Sequence, residues 1–167
     1  LSWEKGKGFY VPFPENQEET QELINKFKPF FEDETIEKIG QNIKYDLKIL
    51  ANYGIQIKGK LFDTMIAHYL INPDMRHNMD VLSETYLKYS PKSIETLIGK
   101  KGKNQLSMRQ VPFEDIKEYA VEDADICLQL KPIFEEKLRE YDLIDLFENI
   151  EMPLVDVLLS MEREGVS

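Results

Sequence analysis

Short β-prone segments alternate with amphipathic helical segments along most of this 167-residue sequence. That alternation is typical of an α/β domain, in which helices pack against a sheet in layers. The β-prone runs are at residues 1–3, 8–13, 36–39 and 55–62. Helix signals begin at Asn16, in the segment that carries Asp46, at Asp63, near Asn78 or Met79, after Pro112, and over 147–161. The sequence therefore predicts an α/β fold, and its length suffices for one domain with its own core.

The charge balance narrows the classes of function. The sequence has 31 acidic and 21 basic side chains, which gives a net charge of −10. This balance disfavours a duplex-DNA binder that relies on its own positive field. An enzyme that gathers carboxylates around divalent cations remains compatible with it, because the metal supplies the positive charge.

The cysteine content and the apolar pattern predict a compartment. Cys127 is the single cysteine, so it has no internal disulfide partner, and we expect it to pack within a helix in a reducing cytoplasm. Nothing resembles a signal peptide or a membrane span. Leu1 and Ser167 both lie within patterns that look unfinished, so we expect the sequence to be part of a longer polypeptide.

One carboxylate on the long helix after Pro112 is predicted to face inward. Tyr119 and Asp123 are spaced i and i+4, and they lie on one helical stripe with Ile116, Ile126 and Leu130. A carboxylate taken out of water requires a cation, a hydrogen-bond donor or a metal to compensate it. A phenol beside it can orient an attacking water without acting as a base, because its ordinary pKa is near 10.

An earlier segment has a similar pattern. Asp46 is predicted to share an apolar helix face with Ile43 and Leu50, and Tyr45 lies beside it. Either carboxylate alone is more often a salt-bridged or capping residue than a ligand. The repetition of a tyrosine with a carboxylate favours a metal-dependent phosphodiesterase site, of which this sequence holds about half.

A basic cluster interrupts this acidic sequence between two predicted helices. Its lysines are Lys100, Lys101 and Lys103. The cluster is either a solvated loop or a contact for a phosphate backbone, and taken alone the solvated loop is favoured.

Six segments, in order along nearly the whole sequence, closely resemble the proofreading 3′–5′ exonuclease domain of the bacterial DNA polymerase I family, the family A polymerases. They are residues 40–46, 49–55, 62–65, 102–106, 119–125 and 147–154. The resemblance implies a ribonuclease H-like fold, a mixed sheet flanked by helices, in which three sequence motifs meet at two divalent cations. Oxygen-only ligands suit Mg²⁺ or Mn²⁺.

The resemblance also implies a role for each matching residue. Asn42, Tyr45 and Asp46 match the second motif, and Tyr119 and Asp123 match the third. Asp123 would be a direct ligand of one cation, Asp46 would act on the other through water, and Tyr119 would orient the hydrolytic water. These three are the expected catalytic residues.

Substrate-binding residues are implied in the same way. Gln41, Asn42 and Tyr45 would lie near a bound single-stranded 3′ end, and Arg76 would contact the DNA strand. From the charge pattern rather than the resemblance, Lys100, Lys101 and Lys103 are further candidate phosphate contacts. The alternatives are that Asn42 is an ordinary N-cap, or both cap and contact, and that Arg76 is an ordinary surface arginine. His68 and His77 match no ligand pattern and are expected to be structural.

The sequence departs from the family pattern in two ways. The first motif, an Asp-x-Glu that ligates both cations, does not occur in it and is expected upstream of Leu1. The fold is then expected to lack its first strand or strands, and the isolated chain to be weak or inactive. The other departure is Ile94, where some relatives have a phenylalanine that packs near the unpaired bases, so stacking is expected to be weaker here.

The resemblance further implies how the sequence is divided. Residues 1–146 would be an N-terminally truncated exonuclease domain, and residues 147–167 the start of the connection to a polymerase domain of the same polypeptide. Two alternatives stay open: a non-catalytic, exonuclease-like structural module of a family A polymerase, and a related exonuclease that acts on RNA. Residues 147–166 disfavour the RNA exonuclease, and an upstream Asp-x-Glu would favour the enzyme over the scaffold.

Overall fold

The computed structural model describes residues 1–100, 102 and 105–166, and it confirms the predicted α/β class. The strands are β1 (Ser2–Glu4), β2 (Lys7–Gly8), β3 (Lys38–Gly40) and β4 (Leu61–Asp63). The helices are α1 (Gln17–Phe31), α2 (Ile43–Asn52), α3 (Thr64–Ile71), α4 (Met79–Leu82), α5 (Ile94–Ile98), α6 (Phe113–Glu140), α7 (Ile144–Leu146) and α8 (Met152–Arg163).

The structure divides into two compact units, each built from two segments of the chain, and the prediction of a single domain stays a prediction. The first unit comprises Leu1–Tyr10 and Arg76–Ile133, and the second comprises Val11–Met75 and Phe134–Ser167. One division falls inside α6, where no change of composition marks it. The predicted boundary between residues 146 and 147 stays a prediction.

A β-hairpin and the first part of α6 organise the first unit. β1 and β2 pair antiparallel, as predicted, and the amide of Gly6 in their turn donates a 2.8 Å hydrogen bond to Asp125 of α6. Gly8 lies so close to α6 that a Cβ there would be 2.6 Å from Cγ1 of Val121. The hairpin is therefore fastened to the helix by one hydrogen bond and one close backbone approach.

The second unit contains a β–α–β crossover. β3 leads through α2 to β4, and the two strands pair in parallel with Gly40 opposite Asp63. Parallel strands require a crossover of this kind, because a tight turn joins only antiparallel neighbours. Each strand leads almost directly into a helix, so the starts of α2 and α3 are both at the carboxyl ends of this strand pair.

Aromatic side chains fill the core of the second unit. Phe62 of β4 and Phe147 are 1% and 0% exposed, and their ring centroids are 4.9 Å apart. His68 of α3 is also fully buried and packs against Phe134 at 5.5 Å. This placement agrees with the structural role expected for His68.

Helix starts agree with the sequence signals better than strand bounds do. Asn16 accepts hydrogen bonds from the amides of Glu18 and Glu19, as its N-cap signal predicted. The run at 55–62 forms only the short β4, because Gly59 has a φ of +84° and approaches the backbone of Glu34 too closely for a side chain. In the part of the chain that the structure describes, no helix is both long enough and apolar enough to cross a membrane.

Candidate active site

Tyr119 and Asp123 form a hydrogen-bonded pair on α6. The phenol donates to the carboxylate across one helical turn, and both side chains are half-buried. Farther along the same stripe, Ile126 and Leu130 are 2% and 0% exposed. The predicted inward stripe is thus confirmed, with the polar pair at its outer end.

Burial sets the electrostatics of this pair. It is the main cause that raises the pKa of Asp123 to about 6, with Glu122 and Asp80 adding repulsion and the Tyr119 hydrogen bond opposing both. The pKa of Tyr119 is also raised, first by its own burial and then by the Asp123 charge. At neutral pH the tyrosine is therefore an uncharged phenol, suited to donating or orienting rather than to taking a proton.

The neighbouring carboxylates on α6 serve other contacts. Glu122 accepts hydrogen bonds from the Tyr89 phenol and, at 2.8 Å, from the backbone amide of Lys92. The Asp125 carboxylate accepts hydrogen bonds from the amide of Gly6 and the side chain of Gln129. The hydroxyl of Ser2 lies 3.5 Å from the same carboxylate. These two residues point away from Asp123, as the helical spacing predicted, and they hold surrounding segments onto the helix.

Asp46 occupies the first turn of α2, and the prediction that it faces inward is wrong. Ile43 and Leu47, one turn apart, are 3% and 5% exposed and define the buried face, which leaves Asp46 exposed at its edge. Nevertheless, its pKa is raised to about 6, first by desolvation and then by the charge of Asp63. The side chain reaches solvent while the surrounding polypeptide still displaces much of the water around its carboxyl group.

Asp63 is a residue whose full role the sequence did not reveal. Its side chain is 1% exposed, and it caps α3 by accepting from the amides of Met65 and Ile66, as the start signal predicted. The same carboxylate also accepts from the amides of Asn42 and Ile43 at the start of α2. The sequence did show a carboxylate at the carboxyl end of a β-prone run. It did not show that β3 pairs with β4, which brings the start of α2 to this carboxylate.

Asn42 stands at the N-cap position of α2, but the interpretation as an ordinary capping side chain is wrong. Its backbone is left-handed, with φ 56° and ψ 50°, and its side chain makes no capping hydrogen bond. Next to it, the half-buried Gln41 meets the hydroxyl of Thr64. Tyr45 is 64% exposed on the first turn of the helix.

The remaining predicted site residues lie in loops or at helix ends. Arg76 and Lys100 are exposed, whereas Lys101 and Lys103 lie outside the described residues.

Ile94 begins α5 and is 42% exposed. Cys127 is buried in α6, in agreement with its expected packing role.

The predicted site residues belong to different units. Gln41, Asn42, Tyr45 and Asp46 are in the second unit, and the others that the structure describes are in the first. Within residues 1–100, 102 and 105–166, no three His, Cys, Asp or Glu side chains converge closely enough to hold a metal ion. Each unit does contain a carboxyl group with a raised pKa, Asp46 in the second unit and Asp123 in the first. Carboxylate oxygens are ligands that suit a hard divalent cation.

Solved structures of another protein share this fold. A structure of Brucella melitensis NrnC superposes with a TM-score of 0.68 at 21% identity, covering 86% of this chain and 64% of that one. NrnC has also been solved with bound Mg²⁺, and that structure superposes with a TM-score of 0.61 at 22% identity, covering 82% and 63%. The architecture is thus that of a ribonuclease H-like α/β domain.

Sequence comparison narrows this class to one family. The model of the family A DNA polymerase 3′–5′ exonuclease matches residues 1–139. DNA polymerase I of Pseudomonas aeruginosa is 36% identical over 171 residues, covering 96% of this chain and 19% of that protein. DNA polymerase I of Borreliella burgdorferi is 36% identical over 169 residues, covering 99% and 18%. This chain belongs to the 3′–5′ exonuclease family of DNA polymerase I, and it spans about a fifth of the length of these relatives.

Proposed function

We propose that this chain is a proofreading exonuclease domain that removes nucleotides from the 3′ end of single-stranded DNA. The Tyr119–Asp123 pair carries the proposal. A half-buried carboxylate with a raised pKa is joined to a phenol that stays neutral, within the segment that matches the exonuclease family. Such a pair combines a ligand for a cation with a group that can orient water.

Asp123 and Asp46 are the proposed residues for divalent cations. Desolvation raises the pKa of both carboxyl groups, and a nearby cation would favour their ionised forms, so the donor chemistry fits a hard metal ion. Asp123 would bind directly and Asp46 through water. Two Mg²⁺ or Mn²⁺ ions, when bound, would stabilise charge on the attacking and leaving oxygens of the phosphodiester.

Tyr119 has the complementary role of positioning. Because its phenol is neutral and donates to Asp123, its oxygen lone pairs can accept a hydrogen bond from a water molecule. The phenol then fixes the orientation of that water beside the Asp123 carboxylate. Tyr119 does not remove the proton, since its pKa lies above the ordinary value.

The proposed substrate contacts are on exposed or half-buried side chains. The exposed ring of Tyr45 can stack on an unpaired base, and the Asn42 side chain is not engaged in capping its helix. Gln41 lies in the same segment. Arg76 and Lys100, with Lys101 and Lys103, would contact phosphates of the strand.

The proposed context is a larger DNA polymerase. Residues 1–146 would be the exonuclease domain and residues 147–167 the start of a connection to a polymerase domain, a proposal that the DNA polymerase I relatives support. The proposed location is the cytoplasm, because the single cysteine, Cys127, fits a reducing compartment. Since no Asp-x-Glu occurs in the 167 residues, we expect little activity from them alone and full activity from a polypeptide that also carries that motif.

The test is to digest a single-stranded DNA oligonucleotide labelled at its 5′ end with such a polypeptide in Mg²⁺. The expected product is a ladder of labelled fragments shortened from the 3′ end, with the 167 residues alone giving almost none. Faster digestion of the matching RNA would favour the ribonuclease alternative. DNA binding without any cleavage would favour the non-catalytic module.

A further inference from the structure

The carboxyl ends of β3 and β4 lie side by side, and a single buried carboxylate joins the helices that follow them. We propose that Asp63 is a positioning residue that holds residues 41–46, and with them Tyr45 and Asp46, in the geometry required for the exonuclease reaction. This inference rests on the proposed function for the consequence in catalysis. The structural part rests on the contacts of Asp63 alone.

Asp63 accepts four backbone hydrogen bonds, two from each helix. One carboxylate oxygen, Oδ2, accepts from Ile43 at 2.7 Å, and the other, Oδ1, accepts from Asn42 at 3.2 Å. Oδ1 also accepts from Met65 at 2.8 Å and from Ile66 at 3.2 Å. A carboxylate with 1% exposure requires such donors, and its negative charge is favourable beside two helix N-termini.

The start of α2 depends on this distant carboxylate because the side chain of its own N-cap residue makes no capping hydrogen bond. The first amides of a helix lack intrahelical partners, and a side chain at the N-cap position usually satisfies them. Asn42 occupies that position without a capping hydrogen bond. The position of the first turn of α2 is therefore set from β4 and α3.

Thr64 supports the same junction. Its fully buried side chain places the hydroxyl 3.1 Å from the carbonyl oxygen of Gly40 and next to the side-chain oxygen Oε1 of Gln41. The hydroxyl has one proton, which it can donate either to the carbonyl oxygen of Gly40 or to the side-chain oxygen Oε1 of Gln41. Two consecutive residues thus hold the whole segment that leads into α2.

This attachment matters for chemistry because Tyr45 and Asp46 are on the first turn of α2. A displacement of that turn moves both side chains together. A shift of about 1 Å in the position of a catalytic group can lower a rate by about a hundredfold. Because Gln41, Asn42 and Tyr45 in the same segment are proposed DNA contacts, releasing the turn is expected to affect both the catalytic step and DNA binding.

Two substitutions separate positioning from capping. Asp63→Asn keeps the shape of the side chain but replaces one acceptor oxygen with a donor, so it cannot accept from Ile43 while its remaining oxygen caps α3. Asp63→Ser can still cap α3, since serine is a favoured N-cap, but it is too short to reach Ile43. Asn16→Ala is the matched control, because Asn16 caps α1 in the same unit and contacts neither helix start.

The first measurement is hydrogen exchange of the Ile43 amide in this chain without metal or DNA. We expect exchange at least about tenfold faster, relative to Asn16→Ala, in both Asp63 variants. The second is the steady-state kinetics of the polypeptide that also carries the Asp-x-Glu motif. There we expect kcat to fall by about ten- to a hundredfold and KM for DNA to rise, because proposed DNA contacts lie in the same segment, and Asn16→Ala to leave both near the wild-type values.

The outcomes distinguish this inference from the proposed function. If Ile43 exchanges at the same rate in the Asp63 variants and the control, Asp63 does not hold α2 and the inference is wrong. If exchange accelerates but kcat is unchanged, Asp63 caps α2 without positioning the reaction, and the inference is again wrong. If the wild-type polypeptide releases no nucleotides, the proposed function fails, and the exchange data still decide whether Asp63 holds the helix.

Discussion

The carboxylate of Asp63 accepts a 2.7 Å hydrogen bond from the backbone amide of Ile43. Because β3 and β4 pair in parallel with Gly40 opposite Asp63, this contact lies at the shared carboxyl end of the strand pair. The first turn of α2 is consequently attached to the first turn of α3. Asn42, which precedes that turn, adopts a left-handed backbone and leaves its side chain out of the cap.

The backbone of Asn42 makes its substitution informative. Asn42→Ala is expected to lower the free energy of unfolding by about 1 kcal/mol, because a φ of 56° is unfavourable for alanine. Asn42→Gly should change it by less than about 0.5 kcal/mol, since glycine accepts this conformation but gains entropy in the unfolded chain. Urea unfolding measures both values. Equal destabilisation by the two variants would contradict the backbone explanation.

The same pair of variants tests the proposed substrate contact. Both remove the amide side chain, so KM for single-stranded DNA should rise to a similar extent in both, whatever their stabilities. The measurement is steady-state kinetics in the polypeptide that carries the Asp-x-Glu motif. A KM that follows stability instead of side-chain chemistry would show that Asn42 serves only the backbone.

The raised pKa values of Asp46 and Asp123 predict how stability depends on pH without metal. Both are about 6 in the folded protein against an ordinary 3.8, so the folded state holds these protons more tightly than the unfolded state. The favourable contribution of these two carboxyl groups to the stability of the folded protein is complete below about pH 4, and it is lost as the pH rises to about 6.

Asp123→Asn should therefore be more stable than wild type at pH 7.5, by about 1 kcal/mol after solvent screening of this half-buried group. Asp46→Asn should show a smaller gain, because Asp46 is exposed. Both gains should disappear near pH 4. Urea unfolding with a chelator across this range gives the comparison, and a gain that persists at pH 4 would contradict it.

Tyr119→Phe tests the hydrogen bond to Asp123. A hydrogen bond to a charged group contributes about 1.5–3 kcal/mol. If that energy is lost from the transition state, kcat is expected to fall by about ten- to a hundredfold. The Tyr119 bond lowers the pKa of Asp123, so its removal should also move the acid limb of the pH–rate profile to higher pH. Tyr89→Phe is the control, because that phenol donates to Glu122 on the same helix. A similar profile for both variants would contradict the role of Tyr119.

Gly8 offers a test of packing that is independent of function. Gly8→Ala should destabilise the chain by about 1–3 kcal/mol, because the new methyl group would be 2.6 Å from Cγ1 of Val121. Val121→Ala removes the opposing methyl groups, so the double variant should regain part of the loss. Thermal unfolding of the single and double variants measures this coupling, and strict additivity would contradict it.

Local signals were sufficient to predict the class of fold and the starts of α1 and α3. The caps at Asn16 and Asp63 depend on residues within three positions, and the stripe from Tyr119 to Leu130 follows from helical periodicity alone. The long-range role of Asp63 could not be predicted in this way, because it requires knowing that β4 pairs with β3.

The errors in the second motif have a related cause. The burial of α2 is decided by Ile43 and Leu47, and a three-residue step from Ile43 made Asp46 look equally buried although it lies at the edge of that face. Asn42 also resembles an ordinary N-cap residue, because asparagine directly before a helix is a common cap. Its backbone is instead left-handed, and Asp63 accepts from its amide and from that of Ile43.

The most direct test of the proposed exonuclease compares two neighbouring carboxylates on α6. The measurement is the rate of nucleotide release from the 3′ end of single-stranded DNA in Mg²⁺, by the polypeptide that carries the Asp-x-Glu motif and by its Asp123→Asn and Asp125→Asn variants. Asp125 serves as the control because its carboxylate holds Gly6 and Gln129. We predict a fall of about a hundredfold or more for Asp123→Asn and less than about threefold for Asp125→Asn. Equal rates for wild type and Asp123→Asn, or no release by wild type, would contradict the proposed function.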